Sequence, residues 1–379
     1  MAASPLYITI DSTSLLVPSA GVKTYLYYWL LSLLEAAPDH HDRISLYPPV
    51  LTARPALHHE TSITGPLRTA LALRLVHAAN LRWSPAIDLL LLGADVFHCS
   101  QHAVKLPKRP KVSATVFDMS CWMVPQFHTA ANIAATKRYG EKILKSCDGL
   151  IAISAHARDS AAAILGIPER RIRVIYPGVA EAFFEATDAQ AADVRTRYGL
   201  HRAYLLFVGC IEPRKNVAGL IRAYRRLPEA LQRDVQLVVA GPFGWASDET
   251  RHMLTESGPN VRYLGYVPEP DLPGLSRGAL ALVYPSYFEG FGLPVAQAMA
   301  AGAAVIASDR TCLPEVTGGA ALLVDPDSLD QLGDAMERVA TCPDLVRDLA
   351  VRGQARAAQF HWQASAAQSL DFFHQLAGA

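Results

Sequence analysis

Three glycine-containing loops carry residue types that can bind a phosphate or a sugar. The first is PSAGVK, residues 18–23, in which Gly21 directly precedes an apolar helical pattern. Glycine there lets a phosphate approach the backbone, and the N-terminal end of a helix favours negative charge. A tight turn would need the glycine as well, so this loop alone leaves both interpretations open.

The second loop is VGCIEPRKN, residues 208–216, where Gly209 ends an apolar run and Arg214 and Lys215 precede a helical pattern. Arginine offers a fork of donors and lysine a mobile point charge, so the pair can clamp a pyrophosphate. The alternative is a solvated charge pair. Cations at a helix start oppose the helix dipole, and a bound diphosphate would compensate for them.

The third loop is YFEGFGLPVAQAM, residues 287–299. Two glycines flank Phe291, and Pro294 is suited to the first turn of a helix. Glu289 stands at the end of a strand pattern, where a carboxylate can accept hydrogen bonds from sugar hydroxyls. Gln297 lies eight residues further along, on the predicted helix.

Short apolar runs alternate with helical patterns along the chain, which is typical of parallel βαβ units. The first series of predicted strands covers residues 6–10, 43–47, 95–98, 112–117, 149–153 and 173–175. The helices predicted between them cover residues 24–35, 67–80, 132–145 and 156–165. Residues 177–200 have no strand pattern and resemble a linker with a short helical piece.

The alternation starts again at residue 204. The second series of predicted strands covers residues 204–208, 235–240, 261–264, 280–283, 304–307 and 321–324. Helices are predicted at 217–226, 295–300 and 329–339, followed by one long helix ending at residue 373. Ligands of such sheets bind at the carboxyl ends of the strands, where the three loops lie.

The run EGFGLPVAQAMAAG closely resembles the EGFGLPxxEAMAxG signature of family 4 retaining glycosyltransferases. The segments VGCIEPRKN, SDRTCLPEVTGGAALLVDP and DGLIAISAHARDSAAAILGIPERRIRVIYPGV are also similar to that family. The resemblance implies the GT-B fold, in which two Rossmann-like doubly wound α/β domains face each other across a cleft. We expect an N-terminal domain at 1–177, a linker at 178–202, a nucleotide-sugar-binding domain at 203–358 and a terminal helix at 359–379, able to cross back to the N-terminal domain.

The resemblance also implies roles for residues at matching positions. The cations would neutralise the donor diphosphate and the Glu289 carboxylate would contact the transferred sugar, so the expected catalytic residues are Arg214, Lys215, Glu289 and Asp118. Backbone groups and the ribose contact would come from the expected donor-binding residues Gly21, Gly209, Phe291, Gly292, Leu293 and Gln297.

Three positions depart from the family pattern. Gln297 replaces the usual glutamate, and an amide lacks the charge-assisted strength of a carboxylate, so we expect weaker or altered nucleotide binding. Cys210 replaces a common arginine, which shifts the load to Arg214 and Lys215. Phe117 replaces a histidine that would help to hold the sugar, although Asp118 remains.

No residue is a convincing covalent nucleophile, because the resemblance assigns that role to neither Asp118 nor Glu289. We therefore expect front-face substitution with retention, without a cofactor and without a metal. The predicted donor is GDP-mannose and the predicted acceptor a glycan or a lipid-linked glycan. The alternatives are a catalytically degenerate relative that binds a sugar nucleotide, or another GT-B enzyme such as an epimerase or a phosphorylase.

Composition limits the remaining possibilities. Lys+Arg and Asp+Glu balance at 35 each, so no global field would recruit nucleic acid. The six scattered cysteines indicate reduced thiols, and the N-terminus has no signal-peptide pattern, so we expect a cytoplasmic protein. A peripheral contact with the inner face of a membrane would suit two groups of basic residues, Lys105, Lys108, Arg109 and Lys111 in one and Arg68, Arg74 and Arg82 in the other. A solvated loop and an ordinary amphipathic helix would explain these two groups equally well.

Three histidines are further candidates. His98, His102 and His128 could face a substrate, but structural imidazoles are commoner than catalytic ones. A zinc site built from His98, Cys99 and His102 is disfavoured, because no fourth ligand is evident.

Overall fold

The structure, a computed structural model, describes residues 4–17, 21–49, 65–81, 85–245, 248–256 and 258–378. The chain divides into two compact units. The first unit comprises Met1–Gly178 together with His361–Ala379, and the second comprises Val179–Phe360.

The first unit is built on a parallel sheet of six strands in the order β2-β1-β3-β4-β5-β6. Its strands are β1 (Tyr7–Asp11), β2 (Arg43–Tyr47), β3 (Val96–Cys99), β4 (Lys111–Val116), β5 (Gly149–Ala152) and β6 (Ile172–Val174). Its helices are α1 (Gly21–Ala36), α2 (Pro66–Ala79), α3 (Ala86–Leu90), α4 (Ser120–Met123), α5 (Ala130–Lys142), α6 (Ala155–Leu165) and, from the C-terminus, α17 (Trp362–Ala377). Strands β3 and β5 are buried at every position, as expected where a parallel sheet is covered on both faces.

The second unit repeats this arrangement with a parallel sheet in the order β12-β11-β10-β7-β8-β9. Its strands are β7 (Ala203–Val208), β8 (Val235–Ala240), β9 (Val261–Gly265), β10 (Ala281–Tyr284), β11 (Ala304–Ser308) and β12 (Leu322–Val324). Its longer helices are α8 (Asp188–Arg197), α9 (Val217–Arg225), α11 (Asp248–Thr255), α13 (Leu293–Ala300), α15 (Leu329–Thr341) and α16 (Pro343–Ala357). The shorter ones are α7 (Glu181–Phe184), α10 (Glu229–Asp234), α12 (Leu272–Arg277) and α14 (Leu313–Thr317).

Each sheet has a point where the strand order reverses. In the second unit the chain runs outward from β7 through β8 to β9, and then returns to place β10 on the other side of β7. The same reversal lies between β1 and β3 of the first unit. A crevice opens at such a switch point beyond the carboxyl ends of the two strands, and ligands of doubly wound folds bind there.

The twelve predicted strands are all present, with ends shifted by at most one residue, so the doubly wound α/β prediction is confirmed. The end of the chain has one helix more than the two predicted there, because α16 (Pro343–Ala357) lies between α15 and the terminal helix α17. Helices α16 and α17 are separated by a turn in which Phe360 is buried and its carbonyl accepts a hydrogen bond from the Val179 N–H at 2.9 Å. This long-range contact takes Phe360 out of a helical path.

The interval 178–202, expected to be a linker, is folded in the structure. Helix α8 begins with a capping box in which the side chains and backbones of Thr187 and Gln190 exchange hydrogen bonds. Its residues Ala191 and Val194 are buried, and a Cβ at Gly274 of α12 would lie 2.8 Å from the Gln190 carbonyl. This close packing explains why residues from Val179 onward group with the second unit. Residues 361–379 group with the first unit.

None of the helices in the described ranges combines the length and the apolar character that crossing a membrane requires.

Candidate active site

The loops after β7 and β10 meet because these two parallel strands are neighbours at the switch point of the second unit. The backbone N–H of Tyr287, in the loop after β10, donates to the carbonyl of Arg214, in the loop after β7, at 2.8 Å. Two of the three loops singled out in the sequence are thus joined directly.

Lys215 is held in place by a short turn and a left-handed residue. Pro213–Lys215 forms a 3-10 turn, and Asn216 follows with a φ of 55°, a conformation that asparagine tolerates better than most residues. The Asn216 side chain donates to the carbonyl of Pro326 at 2.8 Å, which anchors the turn. The Lys215 Nζ then donates to the hydroxyl of Tyr284 at 2.7 Å.

Glu289 accepts one cation on each carboxylate oxygen. Lys215 Nζ lies 2.5 Å from Oε1, and Arg214 Nη1 lies 3.2 Å from Oε2. Arg214 also pairs with Glu212 at 2.6 Å and donates to the carbonyl of Phe288. The three predicted catalytic residues of this unit therefore form one charged cluster.

The cluster is almost completely withdrawn from solvent. The side chains of Arg214, Lys215 and Glu289 are 13%, 10% and 7% exposed. Buried charges are tolerated only when they are paired and hydrogen-bonded, because their desolvation is costly. Such an expensive arrangement at the carboxyl edge of a doubly wound sheet is typical of a functional site.

Burial and the opposite charge of the partner act in opposite directions on the pKa of Lys215, and likewise on the pKa of Glu289. Burial is the largest influence on Lys215 and lowers its pKa below 10.5, although Glu289 opposes this. Burial is also the largest single influence on Glu289 and would raise its pKa. The combined attraction of Lys215 and Arg214 outweighs it, so the pKa of Glu289 is lowered below 4.5 and the carboxylate stays ionised.

The segment after β11 holds the backbone of Glu289 in place by hydrogen bonds. The Glu289 N–H donates to the Thr311 hydroxyl at 3.2 Å, and the Cys312 thiol donates to the Glu289 carbonyl at 3.2 Å. Thr311 adopts a φ of 57°, which is unusual for a β-branched residue and indicates stored strain. Thr311 and Cys312 fall inside a segment that resembles the family, but nothing in their types or spacing identified this role.

The glycine-rich loop after β10 ends as a helix N-terminus. Gly292 has a φ of 86° and precedes α13, and a Cβ there would lie 2.6 Å from the Leu313 side chain. In the described part of the chain, the N–H groups of Gly292 and Leu293 have no hydrogen-bond partner. They can therefore bind an anion. The side chain of Phe291 is buried instead, edge-on to Phe360 at 5.3 Å between ring centroids.

Gly209 ends β7 with a φ of 153°, and its N–H donates to the Ala240 carbonyl at 2.9 Å. A Cβ at Gly241 would lie 1.9 Å from the Gly209 carbonyl oxygen, so the two loops pass in close contact. Cys210 follows, half-buried, and burial raises the pKa of its thiol. This position therefore supplies no cation, and the cations of the site come from Arg214 and Lys215.

Gln297 lies half-buried on α13, and no group in the described ranges hydrogen-bonds to its side chain. Its amide is thus available to a ligand.

The remaining predicted site residues lie in the first unit. Asp118 accepts hydrogen bonds at 2.9 Å from the Ser120 N–H and at 2.6 Å from the Ser120 hydroxyl, beside the start of the short helix α4. Phe117 packs edge-on against Tyr25. Gly21 is the first residue of α1, and a Cβ on it would meet no atom of the described residues within 4 Å. Residues 18–20 of the same loop lie outside the described residues.

Asp11 is a candidate site residue that the sequence reasoning missed. It is buried at the end of β1, and its Oδ2 accepts from the Ser100 hydroxyl at 2.7 Å, across the switch point between β1 and β3. Its Oδ1 accepts from the N–H and hydroxyl of Thr13. A pocket opens beside it, lined in part by Ser14, Tyr25, Gln101 and Phe117. The polar run DSTS directly after a strand was the available signal.

His98 proves to be a core residue. Its two ring nitrogens lie 2.9 and 3.0 Å from the hydroxyls of Ser113 and Thr115, and its ring packs against Trp29 and Phe373. Complete burial lowers its pKa to about 3, so the ring is neutral near neutrality. Neither nitrogen is left for a metal or a substrate.

Two parallel Rossmann-like units, the second with a buried cluster of charged side chains at its switch point, agree with the GT-B fold that the sequence motifs predicted. The model for "Glycosyl transferases group 1" matches residues 194–356, and the model for "Glycosyltransferase Family 4" matches residues 21–183. The chain belongs to glycosyltransferase family 4, as the motifs predicted.

Individual proteins agree with this assignment. The O-antigen chain mannosyltransferase B of Escherichia coli is 32% identical over 313 residues, which cover 80% of each chain. Sucrose-phosphate synthase from Thermosynechococcus elongatus has a similar fold, with a TM-score of 0.70, 23% identity and coverage of 98% of this chain and 99% of that one. Anabaena HepE in complex with UDP and glucose has a TM-score of 0.70 at 17% identity, covering 97% of this chain and 99% of the other.

Proposed function

We propose that the protein is a retaining mannosyltransferase that uses GDP-mannose. The observation that supports a transferase most strongly is the buried cluster of Arg214, Lys215 and Glu289, next to the N-terminus of α13. It combines positive charge for a diphosphate with a carboxylate for sugar hydroxyls. Mannose is favoured because the E. coli relative, 32% identical, is named a mannosyltransferase.

Each group has a place in the proposed reaction. The bond between the anomeric carbon and the donor diphosphate breaks, and the N–H groups of Gly292 and Leu293, with Lys215 and Arg214, hold the departing negative charge. The acceptor oxygen forms its bond to the same face of the anomeric carbon, and its proton passes to an oxygen of the leaving diphosphate. No covalent intermediate on the protein is needed, and Glu289 orients the sugar.

Gln297 is proposed to contact the ribose of the nucleotide. Its amide has no partner in the described ranges, and it can accept one hydrogen bond and donate another. A carboxylate would make a stronger contact, so the nucleotide should bind less tightly here than with glutamate at this position.

The acceptor is proposed to be lipid-linked and reached at the cytoplasmic face of a membrane. Exposed apolar side chains are concentrated in the first unit, with Leu67 87% exposed and Leu71 52% exposed one turn apart on α2. Further exposed apolar side chains nearby in the sequence are Leu81, Leu89, Leu92 and Val104. The exposed cations Arg68, Arg74, Lys108 and Arg109 lie among them in sequence, whereas Arg82 lies outside the described residues. Such a mixture suits the surface of an anionic bilayer.

The proposal is tested by incubating the purified protein with GDP-mannose and octyl α-mannoside, a short membrane-compatible acceptor. We expect GDP release that depends on the acceptor, and a product whose new linkage keeps the α configuration in proton NMR. A β linkage would contradict retention. UDP release from UDP-glucose, without GDP release from GDP-mannose, would contradict the donor assignment but not the transferase.

The competing function is a degenerate relative that binds a sugar nucleotide without transferring it. Phe117 and Gln297 favour it, since both depart from the family pattern. The intact ion cluster favours an enzyme. Tight binding of GDP-mannose without acceptor-dependent GDP release, over a panel of lipid-linked glycans, would select the degenerate relative, and sugar conversion without acceptor would select an epimerase.

A further inference from the structure

Two histidines and one aspartate of the first unit converge far from the charged cluster. The groups that His40, Asp42 and His374 offer for coordination all lie within 4.8 Å of one another. His40 ends the 3-10 turn Ala37–His40, Asp42 directly precedes β2, and His374 lies in the last turn of α17. The three residues serve no role in the proposed transfer.

The local backbone is arranged so that His40 and Asp42 can point to the same place. His41 between them has a φ of 61°, in the left-handed region, and its N–H donates to the Pro38 carbonyl at 3.0 Å. This turn reverses the chain within two residues. His41 itself is exposed and takes no part in the cluster.

Asp42 is fixed in the orientation that a metal ligand requires. Its side chain is fully buried, and its Oδ1 accepts the backbone N–H of Leu6 at 2.8 Å. Its Oδ2 is thereby directed at His374, whose Nε2 lies 2.9 Å away. Metal-binding carboxylates are commonly held by such a second hydrogen bond.

We propose that His40, Asp42 and His374 bind a divalent transition metal of the zinc class. Two imidazoles and one carboxylate are a donor set that Zn²⁺ accepts, with water in the fourth position. Ligand atoms about 2 Å from a tetrahedral zinc are roughly 3.3 Å apart, so side-chain rotations of an ångström or so would complete the site. The rings of His40 and His374 have centroids 6.3 Å apart, which leaves room for the ion.

The proposed metal would stabilise the fold, and its three protein ligands and one water would give it a more open coordination than structural zinc sites with four protein ligands have. It would join the end of α17 to the start of β2, two segments separated by 332 residues in sequence between Asp42 and His374. A cross-link over such a separation stabilises the folded first unit, because the metal binds the folded chain and not the dispersed ligands of the unfolded one.

The simpler explanation is a hydrogen bond between His374 and Asp42 with no ion. That explanation requires nothing of His40, whereas a metal site requires it. Measuring metal binding in the wild type and in a variant that lacks His40 distinguishes the two explanations.

The experiment uses the full-length protein without a histidine tag. A chelator first removes any bound metal, and the chelator itself is then removed. Co²⁺ is titrated while visible d–d absorption is recorded, and Zn²⁺ is titrated by calorimetry. We expect one equivalent of each metal to bind, and Zn²⁺ to raise the melting temperature. His40→Ala and His374→Gln should each weaken binding at least tenfold, and the amide of His374→Gln can still donate to Asp42, which protects the fold.

His41→Asn is the matched control, since it changes the neighbouring exposed histidine to a residue that also tolerates a left-handed conformation. It should bind metal as the wild type does. The proposal is overturned by a wild-type protein that binds no stoichiometric Co²⁺ or Zn²⁺. It is equally overturned by binding that persists in His40→Ala and His374→Gln, or that is lost in His41→Asn.

Discussion

Lys215 and Glu289 form a buried ion pair, 2.5 Å between Nζ and Oε1, although 74 residues separate them in the sequence. The pair exists because β7 and β10 are neighbours, which places the loop after each strand at one switch point. Arg214 lies on the other carboxylate oxygen. Because Glu212 also pairs with Arg214, two carboxylates balance the two cations of this buried cluster.

Replacing Gln297 with glutamate, the residue usual in the family, should tighten nucleotide binding. A hydrogen bond to a charged group is worth about 1 kcal/mol more than one to a neutral group, which corresponds to roughly fivefold in affinity. Gln297 is half-buried and has no partner in the described ranges, so Gln297→Glu should not disturb packing. Calorimetric titration with GDP measures the change. An unchanged or weaker affinity would show that residue 297 does not contact the ribose.

Gly21→Ala separates the two interpretations of the first glycine loop. A Cβ at this position meets nothing within 4 Å among the described residues, so these give no steric reason for glycine. Alanine at the start of α1 should leave stability unchanged, or raise it by about 0.4–1 kcal/mol through the unfolded chain. We expect the melting temperature to hold while the Kd for GDP-mannose rises. If the variant instead unfolds at lower temperature with normal donor affinity, the glycine is structural.

The buried His98 should make the first unit sensitive to mild acid. Its folded pKa of about 3 lies below the value of about 6.5 in an unfolded chain. Between these values the unfolded state binds the extra proton, so stability is complete above pH 6.5 and falls as the pH drops through this window. From pH 7 to pH 5 the loss from His98 should be about 2 kcal/mol.

Urea unfolding at pH 7 and pH 5, followed by tryptophan fluorescence, measures this loss against a His98→Gln variant. The difference between the two pH values should be smaller in the variant by about the same 2 kcal/mol. Equal differences in both proteins would mean that other groups carry the acid sensitivity.

Replacing the exposed leucines of α2 should weaken membrane binding. Leu67→Asp places an acid near the N-terminus of α2, where the helix dipole favours it, so folding should be unaffected. In sedimentation with vesicles of 30% phosphatidylglycerol in phosphatidylcholine, Leu67→Asp combined with Leu71→Asp should bind several-fold less than the wild type. Val351→Asp is the control, because Val351 is 67% exposed on α16 of the second unit. Equal loss in the control would indicate general charge repulsion.

The strands were predictable because most of them are buried apolar runs, whose signal depends only on local sequence. The separate helix α16 was not, since the turn that follows it depends on the burial of Phe360 and on a hydrogen bond to Val179 across 181 residues of chain.

The candidate site shows the same division. Arg214, Lys215 and Glu289 could be selected from the sequence, because their types and their places after strands carry the chemistry. Asp11 had only the polar run DSTS after a strand as a signal, and Thr311 had none. Asp11 is joined to Ser100 and Glu289 to Thr311, and these pairings follow from strand order and an unusual backbone conformation, which no local pattern encodes.

The most direct test of the account is a thermal-shift measurement with GDP-mannose, GDP, UDP-glucose and ADP-glucose on the wild type and Lys215→Ala. Arg222→Ala is the control, an exposed cation on α9 seven residues further along. Because removing Lys215 leaves a buried carboxylate, a second variant that combines Lys215→Met with Glu289→Gln removes both charges together. We predict that GDP-mannose raises the melting temperature of the wild type and of Arg222→Ala, and that both Lys215 variants lose most of the shift. Equal shifts in wild type and Lys215 variants, or no shift with any sugar nucleotide, would contradict the assignment of this cluster as the donor site.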